Sequence, residues 1–232
     1  VTFIPIRDEH PTKIDPFVTI GLIAIMSLAF LWKVMLAPAE QELLIESFGL
    51  VPKTLFGLDE LAEGQSAVLP LLTLLTSMFV HGDLFHLGAN ALYLWIFGNN
   101  VEDAMGHSRF FFFFILSGII AATTHAMIVP QSDIPMIGAS GAISGVLGAY
   151  LVLHPFSRIL MLLFPFVVRV PAWVVLLTWF IGQGASAALA DPSAGGVAWW
   201  AHIGGFIAGL ILVFPFYRPK QSEERPRGPW ER

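Results

Sequence analysis

Six apolar runs, nearly free of charged residues inside, constrain this chain more than any other feature. A run of about 20 such residues crosses a bilayer as a helix, because a helix satisfies its own backbone where no water can. The runs lie at about 17–37, 84–101, 110–129, 137–153, 170–190 and 195–217. Only 12% of the 232 residues are charged and 56% are hydrophobic, whereas a soluble domain is typically about a quarter charged. The expected fold is therefore an all-α polytopic membrane protein with six transmembrane helices. Residues 1–16 form a polar N-terminal arm, 17–217 the membrane domain, and 218–232 a charged, proline-containing tail. The first run has no small-residue cleavage site and is expected to remain as a span. Cysteine is absent, which excludes thiolate and disulfide chemistry.

Two further apolar pieces are too short to span. Val68–Val80 contains Pro70 and reads as interfacial or re-entrant, and Ile159–Val168, between Arg158 and Arg169, as interfacial. In the outer loop 38–80, Glu40, Glu42, Glu46, Asp59, Glu60 and Glu63 interleave with Leu and Phe, a pattern of short amphipathic helices on a membrane surface. Lys33, near the end of the first run, is placed to snorkel. With six spans, one side carries Arg7, Lys13, Arg109, Arg158, Arg169, Arg218, Lys220, Arg225, Arg227 and Arg232. The other side has Lys53 and Lys33. That bias predicts cytoplasmic termini, in the inner membrane if the cell is bacterial.

Chain direction then puts the beginnings of the second, fourth and sixth runs on the outer side. Ser140 opens the fourth, His86 and Asn90 stand early in the second, and His202 early in the sixth. At 1.5 Å rise per residue, all four fall within roughly 10 Å of the outer helix ends. A serine between glycines entering lipid is costly unless paired or lining a cavity. His202 is the natural base to activate it. Gly205 and Gly209 follow His202 on its own face, and Ser140, Ser144 and Gly148 recur every four residues. Such small surfaces let helices approach closely in lipid.

No Asp or Glu lies inside a predicted span, so a Ser–His dyad rather than a triad is expected. Oxyanion donors would be the Ser140 backbone N–H at a helix start, with His86 and Asn90 one turn apart. Each piece alone has a plainer reading. A lone serine usually bonds its own helix, glycine stripes mostly serve packing, and Phe110–Phe114 and Trp199–Trp200 read as lipid or interface contacts. His81, His107, His125 and His154 read as loop or packing residues. The coincidence of four polar residues at one depth favours catalysis.

These residues resemble the rhomboid family of intramembrane serine proteases, over about Thr76–Leu212. Gly138-Ala139-Ser140-Gly141 resembles its nucleophile motif, and Ala201-His202-Ile203-Gly204-Gly205 with Gly209 the motif around its histidine. His81 to Asn90 resembles the second-span motif, and Gly98, Val101-Glu102-Asp103 and Gly106 the turn after it. The resemblance implies a six-helix bundle with a water-filled cavity, and hydrolysis of peptide bonds in or near transmembrane helices, often after a small residue. It implies Ser140 as nucleophile, His202 as base, and His86 with Asn90 as oxyanion donors, without metal, nucleotide or other cofactor. Partners would be the lipid bilayer and membrane-protein substrates, with no nucleic acid. The loop Asp191–Gly196 would cover the cavity.

Two positions depart from the family pattern. Leu72-Thr73 stand where Trp-Arg is common, and Ser144 where some members have a tyrosine against the histidine. Another group must then orient His202, and Ser144 is one candidate. Rival readings are a non-catalytic scaffold binding membrane helices, and a transporter or channel, which would want ionisable residues at mid-membrane. A metalloprotease lacks its His-Glu-x-x-His pair. A soluble nucleophile-elbow hydrolase is excluded by Ala142 where glycine is needed, and by the flanking spans.

Overall fold

The computed structural model describes residues 3–58, 68–190 and 196–218. A strand β1 (Phe3–Asp8) leads to α1 (Phe17–Val34), followed by the helices α2 (Pro38–Phe48) and α3 (Pro52–Leu55). Helix α4 (Pro70–Thr76) runs into a 3-10 turn, Ser77–Phe79. One long helix follows, composed of α5 (Leu84–Tyr93), a π turn (Leu94–Gly98) and α6 (Asn99–Met105). Then come α7 (His107–Ile128), α8 (Ser140–Leu153), the hairpin β2 (Arg158–Leu163) and β3 (Phe166–Pro171), α9 (Ala172–Leu189) and α10 (Trp199–Phe216).

The protein is mostly helical. Among the described residues, α1, α7, α9 and α10 are long and apolar enough to cross a membrane. A fifth candidate pairs Pro70–Phe79 with Leu84–Met105, bent by 82°. That bend lays α4 across the end of α5, as Pro70 and the shortness of the 68–80 run led one to expect. The fourth run gives α8, with only 14 residues.

The all-α expectation requires correction. A three-stranded antiparallel sheet in the order β1-β2-β3 closes one end of the molecule. The ten-residue run at 159–168 cannot span, but folded back as a hairpin it satisfies its backbone across the ladder, from Arg158↔Pro171 to Leu163↔Phe166. Ile159 and Met161 alternate inward and are buried, the period-two pattern of a half-covered strand. The polar arm supplies β1, in register from Phe3↔Leu163 to Asp8↔Ile159. Asp8 turns into the bundle, accepting from Asn100 Nδ2 at 2.6 Å and Tyr150 OH at 3.1 Å. Burial pushes its carboxyl above the usual range despite these bonds. The tail beyond 218 and the acidic residues Asp59, Glu60 and Glu63 lie outside the described residues.

The second span continues past Glu102-Asp103 rather than stopping there. Glu102 is fully buried and caps α1 from a neighbouring helix, accepting from the N–H groups of Val18 at 2.9 Å and Thr19 at 2.8 Å. The Thr19 hydroxyl donates to the same oxygen at 2.7 Å, and His107 Nδ1 lies 2.6 Å from the other. The α1 N-terminus has no side-chain cap of its own, so its orphan donors and positive dipole end require this acceptor. Asp103 accepts from the N–H groups of Lys13 and Ile14 at 3.0 and 3.2 Å, tying down the arm as well. Glu102→Leu should therefore destabilise the protein by about 3 kcal/mol. Reversible unfolding in detergent micelles would measure this, and an unchanged midpoint would refute it.

Helix α8 is the central post. Every residue from Gly141 to Tyr150 is buried, as expected for a helix that is apolar all round. Helices α7 and α10 flank it. The phenylalanine run divides by helical spacing: Phe110, Phe113 and Phe114 are fully buried, while Phe111 and Phe112 face outward. Reading the whole run as lipid contact was wrong for those three inward positions.

Against α10 the two backbones nearly touch. A Cβ built on Gly205 would strike Gly141 O, one on Gly209 would strike Gly145 O, and one on Gly148 would strike Phe206 O. The contact stripe is thus Gly141-Gly145-Gly148, not the Ser140-Ser144-Gly148 row. Ser144 instead returns its hydroxyl to Ser140 O at 2.6 Å.

Candidate active site

Ser140 is the first residue of α8. Two residues earlier, Gly138 takes φ +107°, a region that L side chains rarely adopt, and its N–H donates to Ser77 O at 2.8 Å. A Cβ on Gly138 would lie 2.5 Å from His86 Nε2 and 3.5 Å from Asn90 Nδ2. Glycine therefore lets the chain pass directly against both side chains before turning into α8. At that turn Ser140 Oγ lies 2.8 Å from His202 Nε2. The close glycine stripe between α8 and α10 makes the contact possible, since a serine and a histidine span little distance between helices.

The structure brings together the two residues expected to form a dyad, and it sets His86 and Asn90 beside Gly138. Asp83 caps α5, accepting the His86 N–H at 2.8 Å, and this bond holds its exposed carboxyl below the usual range. His81, read as a loop or packing residue, is fully buried and sets its ring edge-on to His86, with centroids 5.1 Å apart. Asn90 is buried one turn after His86, and its Nδ2 has no hydrogen-bond partner among the described residues. A buried amide donor left unpaired is costly.

Gln183 and Trp179 escaped the reading of the sequence, and Trp199 was read only as a lipid or interface contact. Gln183 on α9 places Oε1 2.6 Å from His202 Nδ1. Trp179, one turn earlier on α9, packs its ring 5.8 Å from the imidazole, and Trp199 approaches edge-on at 6.1 Å. Ser144, the proposed orienter, is spent on its own helix. Gln183 carried the same signal as Ser140, a polar side chain inside an apolar run. The third member of such a site is ordinarily a carboxylate, whereas Gln183 is a neutral amide.

Lys33 does not snorkel. It is buried and donates to the carbonyl oxygens of His81, at 3.0 Å, and Gly82. It thereby fixes the turn into α5 that carries His86. The segment between α1 and α5, where Leu72-Thr73 stand in place of the Trp-Arg common in the family, is held by Thr76 Oγ1 donating to Phe48 O at 2.8 Å and by the Leu50↔Met136 bridge.

Two hollows lie at this end of α7 and α10. One of about 340 Å³ lies between the ends of α7 and α9 and the start of α10, lined by His125, Met136, Ala198, Trp199 and Trp200. Trp199 and Trp200 therefore face a cavity rather than serving only as lipid contacts. A much smaller one abuts Ser140 itself, with Gly118, Ala121, Ala122, Gly141 and Ala201 in its wall. Met136 and Ala198 line both hollows. Residues 191–195 of the expected covering loop lie outside the described residues.

Comparison with known proteins places the chain in a family. The rhomboid domain family matches residues 70–219. "Rhomboid protein 1, mitochondrial" of Saccharomyces cerevisiae is 33% identical over 159 residues, 66% of this chain and 44% of that protein. "Presenilin-associated rhomboid-like protein, mitochondrial" of Homo sapiens is 29% identical over 148 residues, 60% of this chain and 36% of that one. "Rhomboid protease GluP" of Bacillus subtilis is 31% identical over 147 residues, 63% of this chain and 26% of that one. The chain thus spans less than half the length of these relatives. The family match covers most of the chain, including every element that carries the site, and the chain belongs to the rhomboid family.

Proposed function

We propose that this protein is an intramembrane serine endopeptidase that hydrolyses peptide bonds in or near the transmembrane helices of other membrane proteins. The observation that carries the reading is the 2.8 Å contact between Ser140 Oγ and His202 Nε2, two residues 62 positions apart. His202 takes the Oγ proton as Oγ attacks the scissile carbonyl carbon, and the tetrahedral intermediate carries its charge on the former carbonyl oxygen. That oxyanion accepts from the Ser140 backbone N–H, the His86 ring N–H and Asn90 Nδ2. His202 next protonates the leaving amine, and water releases the acyl group by the reverse sequence. Gly138, Gly141 and Gly205 support the site by close approach. The relative from Bacillus subtilis is named as a protease, which favours the same reading here.

In this reading α8 completes a six-span bundle with both termini cytoplasmic, in the inner membrane if the cell is bacterial. The small, glycine- and alanine-walled hollow at Ser140 favours a small side chain beside the cleaved bond. A substrate helix satisfies its own backbone in lipid, so a Gly, Pro or polar residue near the outer interface would loosen it for attack.

The test is labelling of the detergent-purified protein by a fluorophosphonate probe, beside His202→Ala. Labelling at Ser140 that is lost in His202→Ala is the expected result. No labelling of a protein shown to be folded would favour the scaffold that binds membrane helices without cutting them. Asn90→Ala should lower kcat on the order of 10²-fold to 10³-fold, with little change in KM. An equal rise in KM would instead make Asn90 a binding residue.

A further inference from the structure

We infer that Gln183 is the positioning residue of the dyad: its amide oxygen holds the proton of His202 on Nδ1, leaving Nε2 free to accept the Ser140 hydroxyl. The inference rests on the proposed reading of Ser140 and His202. Gln183 Oε1 lies 2.6 Å from Nδ1, and Nε2 lies 2.8 Å from Ser140 Oγ, so the imidazole bridges the two side chains. A neutral imidazole has one donor and one acceptor nitrogen. An amide oxygen can only accept, so its position facing Nδ1 makes that nitrogen the donor. Nε2 is then the lone pair that general-base chemistry requires.

The local structure singles this residue out. Of the 18 residues of α9, only Ala172, Leu176 and Gln183 are buried. Gln183 is the one polar side chain among them. Trp179, four residues earlier, covers the same imidazole. The pair therefore fixes the ring's tilt through the indole and its tautomer through the amide. The other titratable side chains that influence His202 are His86 on α5 and His125 on α7. Among the described residues no carboxylate pairs with His202. An amide performs the orienting task without placing a charge on a helix that faces lipid, where a carboxylate would be costly. During the reaction the proton moves from Ser140 Oγ to Nε2, while Gln183 keeps its bond to Nδ1–H and takes up no charge.

Two measurements separate this inference from the reading beneath it. Nitrogen-15 NMR of histidine-labelled protein in detergent, with His202→Ala as the assignment control, reads the tautomer and needs no substrate. His202 should carry its proton on Nδ1, and Gln183→Leu should give a mixture or the opposite form. A proton on Nε2 in the unsubstituted protein, or a tautomer unmoved by Gln183→Leu, would overturn the inference. In cleavage assays Gln183→Leu should lower kcat about 10²-fold with KM unchanged, the low end of a general base's contribution. Gln183→Glu should recover most of kcat and move the acid limb of the pH–rate profile upward, because a carboxylate stabilises the imidazolium. A merely structural role would lower the unfolding temperature and leave both the profile and the NMR signal in place. If the unsubstituted protein cuts no substrate yet shows the Gln183-dependent tautomer, the protease reading fails and the positioning role stands. If it cuts and Gln183→Leu cuts equally well, the reverse holds.

Discussion

Ser140→Ala should reduce peptide-bond hydrolysis on the order of 10⁴-fold or more, leaving the fold and substrate capture intact. The size follows from the position of Oγ. Its partner is His202 Nε2, and among the described residues no other side chain is hydrogen-bonded to it. Removing it therefore takes away the nucleophile without orphaning a structural donor. Alanine is also a good helix former at the start of α8, and its methyl group fits where the serine Cβ already stands. Cleavage of a single-span substrate in proteoliposomes would report the loss, and thermal unfolding in detergent would show an unchanged midpoint. Residual cleavage near the original rate would mean that another group attacks. A fall in rate accompanied by unfolding would mean that Ser140 serves the fold.

Gly209→Val should lose both stability and activity, although Gly209 lies two turns from His202. A side chain there collides with Gly145 O across the α8–α10 contact, and backbone oxygen cannot rotate aside as a flexible side chain can. The two helices must separate. Overpacking of this kind costs about 1–3 kcal/mol and sometimes more. The same separation opens the 2.8 Å Ser140–His202 bond, which lies farther along the same interface. A misplacement of about 1 Å costs on the order of 10²-fold in rate. Gly182→Ala and Gly184→Ala on α9 are the controls, because a Cβ at either position meets nothing within 4 Å. If Gly209→Val unfolds no earlier than those controls and cleaves as fast, the close helix contact is not what sets the dyad.

What could be read from the sequence depended on the range of the interaction that decided each feature. Long apolar runs are decided by the solvent alone, and α1, α7, α9 and α10 lie within a few residues of their expected limits. The coincidence in depth of Ser140 and His202 needed only chain direction and helical rise, and the two side chains do meet. Features decided by a partner far along the chain were not legible. The stretch 159–168 gives no hint that residues 3–8 will pair with it, so a sheet stands where an interfacial segment was expected. Glu102 looked like the polar end of a span because its ligands, Val18 and Thr19, are more than 80 residues away. Lys33 looked free to snorkel for the same reason. Gln183 was nearest to being found, since a buried amide in an apolar helix asks for a partner in any reading.

The shortness of α8 has a consequence of its own. At 1.5 Å per residue its 14 residues reach about 21 Å, against a hydrocarbon layer of about 30 Å. A full-length central post would have filled the remaining 9 Å or so with a cylinder about 10 Å across, roughly 700 Å³ of helix. That missing volume exceeds the 340 Å³ hollow between the ends of α7 and α9 and the start of α10. Hydrolysis consumes water as a reactant, and a membrane interior is the one place in a cell where water must be given somewhere to stand. By ending its innermost helix short of that thickness, the bundle leaves Ser140, the first residue of α8, beside a small hollow, and in the proposed protease reading this is where water would reach the acyl group.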